Sequence, residues 1–224
     1  MKILRYDVSV YPFHKVIEKF IGSDDLTAIE AHFEEGEKPE DTNSIYKNME
    51  QTLPYVKLYA HLESEVGQKF YSIYEDFIQH EIRPLYAEPI FYQKKPTHRI
   101  HFKDGSGASR FHKDSDYGHN PAEVNYSVPQ TPMFGTNGIW IESEEDKGDY
   151  EPMEMEVGQF VQFKGVNLKH GAKENDTGQT RVSFDFRVMP ESGAPDIFTD
   201  KSSWQDKDEE NPLFKNAHDF ALCK

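Results

Sequence analysis

A histidine and an aspartate stand two residues apart in Phe111-His112-Lys113-Asp114. On an extended backbone, side chains at that spacing leave the same face, so an imidazole and a carboxylate can reach one ion. A distant second histidine, His170 in Leu168-Lys169-His170-Gly171, would complete a 2-His-1-carboxylate set. Such a set grips iron(II) on one side and leaves its other positions open for chemistry. The pattern has a high background: ten histidines and 17 aspartates in 224 residues give about 0.8 accidental His-x-Asp matches, against one found. Taken alone, it fits a loop histidine beside a surface carboxylate better than a metal ligand. His32-Phe33-Glu34 and His61-Leu62-Glu63 offer a looser His-x-Glu pattern, but both fall in the helical third, where residues two apart diverge. Asp116 repeats the strand spacing after Asp114. Asp114 is the expected ligand, with Asp116 and His119 at the pocket mouth or facing solvent.

A second signal lies in Thr180-Arg181-Val182-Ser183-Phe184-Asp185-Phe186-Arg187-Val188, where Val182, Phe184, Phe186 and Val188 alternate with polar residues. If the apolar set packs on outer helices, the opposite face carries Arg181 and Ser183 inward. A buried guanidinium needs an anionic partner, and its planar fork suits a bidentate grip on the far end of a dicarboxylate. A salt bridge to a core Asp or Glu is the alternative role for Arg181.

These residues need a frame. Tyr59, Leu62, Val66, Phe70, Ile73 and Phe77 recur at helical spacing, and the stripe stops near Arg83 and Pro84, where proline disfavours helical dihedrals in the residue before it. From about Pro89 the period becomes two, with short runs at Ile90 to Gln93, Val124 to Val128, Ile139 to Glu142, Gln159 to Phe163 and Arg181 to Val188. Turn clusters separate them, including 103–107, 146–149 and 175–178. Helices followed by many short strands predict a mainly β sandwich or jelly roll with N-terminal helices outside it. The expected organisation is one domain over 1–224: helical support in 1–88, a jelly-roll core in 89–190, and a tail or lid in 191–224 with Trp204 and Phe214 as isolated anchors.

His112-x-Asp114, then His170, then Arg181-x-Ser183, in that order, resembles the 2-oxoglutarate and iron(II) dependent dioxygenases over roughly Arg99 to Met189. The longer strings His112-Lys113-Asp114-Ser115-Asp116-Tyr117, Glu123-Val124-Asn125-Tyr126 and Thr177 to Arg187 are similar to a small bacterial and phage branch, some of whose members sit in aminoglycoside antibiotic pathways. The resemblance implies a double-stranded β-helix fold and Fe(II) held by His112, Asp114 and His170. It also implies 2-oxoglutarate as co-substrate, its C5 carboxylate on Arg181 and Ser183, and O2 as oxidant. Asn125 would point inward to the co-substrate or to Asp114, or serve as a turn or edge residue. Arg99, His101 and Trp140 are weaker pocket candidates, with core or surface roles as the alternative.

Composition narrows the partners. Forty acidic against 25 basic residues give a net charge of -15, which repels nucleic-acid phosphates and anionic membranes and mildly favours a cationic or neutral polar substrate such as an amino sugar. The lone Cys223 suits a reducing compartment, and Lys2, Arg5 and Asp7 occupy the place of a secretory apolar run, so the cytoplasm is the expected address. Two other classes share the fold: a cupin-like non-redox metal protein, which has no need of Arg181, and a metal-free carbohydrate-binding module stacking sugars on Trp140, Tyr117 and Tyr126. Oligomeric state is not readable from the sequence.

Overall fold

A computed structural model describes residues 1–32, 53–103, 105, 110–199 and 219–224. Trp204 and Phe214 lie outside the described residues.

The long strand of the fold is β9 (Arg181–Pro190), and the major sheet is assembled around it. On one side it pairs with β4 (Val124–Pro129), which pairs with β7 (Gln159–Phe163), which pairs with β1 (Lys2–Arg5) at the edge. On the other side the two halves of β9 take different partners. β3 (Thr97–His101) runs along its first half and β2 (Ile90–Gln93) along its second, with β10 (Phe220–Cys223) outside β2. A smaller sheet has the order β6 (Glu151–Pro152), β5 (Trp140–Ile141), β8 (His170–Gly171). Every one of these pairings is antiparallel. The fold is the expected jelly roll, a double-stranded β-helix with helices on its N-terminal side.

The alternation in β9 decides which face meets the helices. Val182, Phe184, Phe186 and Val188 are buried, with Phe184 centred 4.8 Å from Phe13 on α1 (Phe13–Ile21). On α3 (Gln68–Phe77), Phe70 lies 5.3 Å from Phe184 and Tyr74 lies 5.3 Å from Phe186. Each such side chain contributes about 1.5–3 kcal/mol through burial, so this layer anchors the sheet.

The apolar stripe from Tyr59 to Phe77 is interrupted, which corrects the expectation of one core-facing helix. α2 (Leu53–Leu62) ends, the chain turns through Glu63 to Gly67, and α3 begins at Gln68. Ser64 Oγ donates to the His61 carbonyl and accepts from the Gly67 N–H, while a Cβ at Gly67 would collide with that same carbonyl. Val66 is therefore 55% exposed and lies outside the core, although its spacing fits the stripe. The helical segment ends in a short turn at Arg83–Leu85 containing Pro84, where the sequence placed it.

Two strands depart from the sequence reading. β1 lies in a stretch read as helical; its residues pair with Gln159 to Gln162. At the other end, Phe220–Cys223 is an edge strand of the major sheet, and the buried Cys223 thiol donates to Gln79 Oε1 at 3.0 Å. Among the described residues, no helix is long and apolar enough to cross a membrane.

Candidate metal centre

His112 and His170 are brought together by backbone pairing. Each N–H donates to the other's carbonyl at 2.9 Å, which adds the His112 segment to the edge of the smaller sheet beside β8. The approach is close enough to require Gly171, since a Cβ there would lie 2.9 Å from the Phe111 backbone. Asp114 opens a short helical turn (Asp114–Tyr117), and its N–H donates to the Gly165 carbonyl at 2.9 Å. One ligand-type atom from each of His112, Asp114 and His170 falls within 4.8 Å of the others.

The ring orientations favour metal binding. His112 Nδ1 donates to the Arg110 carbonyl at 2.7 Å and His170 Nδ1 to the Leu168 carbonyl at 2.9 Å. A carbonyl only accepts, so both Nδ1 atoms carry the proton and both Nε2 atoms are the ones turned toward Asp114. Those Nε2 atoms lie 3.4 Å and 3.7 Å from Asp114 Oδ1. Burial pushes the Asp114 carboxyl up, but the hydrogen bond with His112, the charges of Arg187 and His170 and the Asn125 amide outweigh it and hold the group well below the usual carboxylate range. Burial in turn lowers the His170 ring, against the opposing pull of Asp114. Two imidazoles with Nε2 turned toward a carboxylate, all nearly buried, are the donor set that a divalent ion such as iron(II) requires.

A cavity of about 190 Å³ opens beside these groups, between the two sheets. Its wall includes Arg181, Asn125, Arg99 and Asp185 from the major sheet and His170 from the smaller one. Arg181 is 2% exposed, and its Nη1 donates to Ser183 Oγ at 2.9 Å, so the two share one face of β9 as their spacing implied. Asn125 does not sit at a turn or edge: its Nδ2 donates to Asp114 Oδ2 at 2.6 Å.

The weaker sequence candidates divide. Arg99 lines the cavity and pairs with Asp185 at 3.1 Å. His101 is opposite Arg181 in the β3–β9 ladder, and burial, with the Arg181 charge adding to it, pushes its ring down to about 4; it is not among the cavity-lining residues. Trp140 is likewise absent from that wall, with Lys173 Nζ 3.2 Å above its ring centre. Asp116 turns away and accepts the Lys113 N–H at 3.0 Å, whereas His119 and Tyr117 do line the mouth. Tyr126 borders the cavity but is fully buried, its ring stacked on Phe186 and its hydroxyl bonded to Tyr86 and Gln162.

Two polar neighbours of these groups were not singled out from the sequence. Arg187 Nε lies 3.2 Å from Asp114 Oδ2, and buried Glu123 accepts from His119 Nδ1 at 2.9 Å while standing 3.6 Å from Arg187 Nε. The run of polar residues Arg181, Ser183, Asp185 and Arg187 at period two was the available signal for Arg187.

The jelly roll thus gathers His-x-Asp, a distant His and an inward Arg-x-Ser around one cavity, the arrangement that the sequence resemblance implied. The chain belongs to the family of the streptomycin biosynthesis protein StrG of Streptomyces griseus, with which it is 31% identical over 189 residues, 84% of each chain. No family model matches the sequence. Solved structures with some likeness include CytC3 with Fe(II) and alpha-ketoglutarate (11% identity, 85% of this chain, 72% of that chain, TM-score 0.48). Another is the non-heme monooxygenase ThoJ in its nickel complex (14% identity, 79% and 69%, TM-score 0.47). HygX from Streptomyces hygroscopicus, with nickel, 2-oxoglutarate and hygromycin B bound, shares 12% identity over 57% of this chain and 66% of that one, with a TM-score of 0.37. Likeness of this degree transfers no residue role.

Proposed function

We propose that the protein is a 2-oxoglutarate-dependent Fe(II) oxygenase acting on a small polar molecule, and that 1–224 works as one oxygenase domain in the cytoplasm. The observation that carries this reading is the meeting of His112, Asp114 and His170 with inward-facing Arg181 around one cavity. In this reading His112, Asp114 and His170 hold the iron, and Arg181 with Ser183 holds the C5 carboxylate of 2-oxoglutarate. Asn125 acts on the co-substrate indirectly, by fixing Asp114. Bound iron with 2-oxoglutarate and O2 supplies an oxidant able to attack an unactivated C–H bond, with succinate and carbon dioxide as co-products. The protein's part is to orient the ligands through their outer hydrogen bonds, place the target carbon and keep bulk water out. Hydroxylation is the simplest outcome.

A sugar or amino sugar fits best as substrate. The relative StrG carries streptomycin biosynthesis in its name, the chain is strongly acidic, and polar Thr97, Arg99, Asp185 and His119 line the cavity with Tyr117 at its mouth.

Anaerobic titration of the iron(II) protein with 2-oxoglutarate, followed by its visible charge-transfer band, tests the assignment. Arg181→Leu leaves the metal ligands in place but removes the partner of a desolvated carboxylate. Co-substrate affinity is expected to fall about 150-fold to 5,000-fold, the equivalent of about 3–5 kcal/mol, with little change in iron affinity. Arg181→Lys recovers part of the loss, because a point charge does not reproduce the fork. If Arg181→Leu binds 2-oxoglutarate within a fewfold of wild type, Arg181 is not the clamp. A wild type that binds iron but not 2-oxoglutarate favours the non-redox metal reading.

A further inference from the structure

Asp114 has two oxygens, and only one of them faces the histidines. Oδ1 lies 3.4 Å and 3.7 Å from the two Nε2 atoms. Oδ2 accepts from Asn125 Nδ2 at 2.6 Å and from Arg187 Nε at 3.2 Å. Asn125 and Arg187 are directly opposite each other in the β4–β9 ladder, so both donors leave one face of the major sheet. Each is itself held. The Gly165 N–H donates to Asn125 Oδ1 at 3.2 Å, and a Cβ at Gly165 would come within 2.8 Å of that amide, so glycine makes room for it. Arg187 lies beside Glu123, which is 2% exposed and fixed by His119 Nδ1 and the Asn120 N–H.

A carboxylate with both oxygens available can take a divalent ion in a bidentate manner, which occupies an additional coordination position. An open-site metal needs those positions for its reactants. We propose that Arg187, together with Asn125, is a positioning residue that occupies Asp114 Oδ2, restricts Asp114 to ligation through Oδ1, and so preserves the open positions of the metal. This inference rests on the metal-site reading above. It differs from a plain structural ion pair in one respect: it fixes how many positions of the ion stay open to water.

Manganese(II) bound to the full chain reports that number through water-proton relaxivity. Three protein ligands on an octahedral ion leave roughly three waters. In Asn125→Leu/Arg187→Met, Oδ2 loses both donors and turns onto the ion. Relaxivity per bound ion is expected to fall by roughly one third, and 2-oxoglutarate affinity of the iron(II) protein by roughly 10-fold to 100-fold. Asn125→Leu/Arg187→Lys restores most of the relaxivity, because the lysine ammonium reaches Oδ2. Unchanged relaxivity in a folded Asn125→Leu/Arg187→Met protein overturns the role of Arg187. If that variant does not fold, Arg187→Met alone carries the test: it is expected to lower relaxivity in the same direction, and no change overturns the proposal. A wild-type protein that binds no manganese(II) overturns the metal site itself, a failure separate from the first.

Discussion

On the helix side of β9, Val182, Phe184, Phe186 and Val188 are buried among rings from α1 and α3, whereas on the cavity side Arg181, Ser183, Asp185 and Arg187 meet other polar groups. The same strand thus builds a core and a site from alternate residues. Two histidines of the fold show how different these environments are. His98, on the helix side, lies 4.8 Å from Phe70 and 5.9 Å from Tyr59 between ring centres, neither ring nitrogen has a hydrogen-bond partner, and burial pushes it down to about 3. His170, on the cavity side, has Nδ1 tied to a carbonyl and Nε2 turned to Asp114. Burial alone therefore does not distinguish the two histidines; an oriented ring facing a carboxylate does.

The largest expected effect is at the cavity side. Asp114→Ala and His170→Ala each abolish turnover and weaken iron(II) binding by more than the roughly 100-fold that loss of an outer partner costs, measured by competition with a chelator. Full activity in either variant would remove that residue from the centre.

The converse break is Phe184→Ala, which empties a site surrounded by Phe13, Phe70 and Tyr74. Urea unfolding should show a loss of about 3–5 kcal/mol, with iron affinity of the folded protein unchanged. A variant that stays stable but loses iron would mean that the two faces are not separable.

His98 sharpens the contrast through pH. Its folded pKa is lowered to about 3. The unfolded chain then binds a proton that the folded state does not, from about pH 6.5 downward, so the stability due to neutral His98 is present above that pH and is lost as pH falls. Between pH 7.5 and pH 5 the wild type should lose about 2 kcal/mol more than His98→Leu in matched urea titrations. Equal pH slopes would contradict a neutral His98.

The smallest effect is expected at Asp116→Ala. Asp116 caps a short turn by accepting the Lys113 N–H, so stability should drop by about 1 kcal/mol while iron affinity holds. Loss of iron here, with retention in Asp114→Ala, would exchange the two carboxylates.

The sequence by itself determined the local and periodic features. Period-two alternation in 180–188 assigned the two faces of β9, because backbone pleating obliges neighbours to point apart. His112-x-Asp114, His170 and Arg181-x-Ser183 were all legible as candidates, since residue type and order survive without coordinates. What depended on pairing between distant segments was decided only by the tertiary structure. The edge strand β1 is written in Lys2-Ile3-Leu4-Arg5, whose pattern is too short to signal a strand until β7 supplies its hydrogen bonds. The break from Glu63 to Gly67 overrode an unbroken apolar stripe, because the close approach of Gly67 to the His61 carbonyl, which leaves no room for a Cβ, depends on three-dimensional packing and not on periodicity. The choice of Asp114 Oδ1 over Oδ2 was likewise beyond the sequence, for it depends on Arg187 and Asn125 arriving from two paired strands 73 and 11 residues away in the chain.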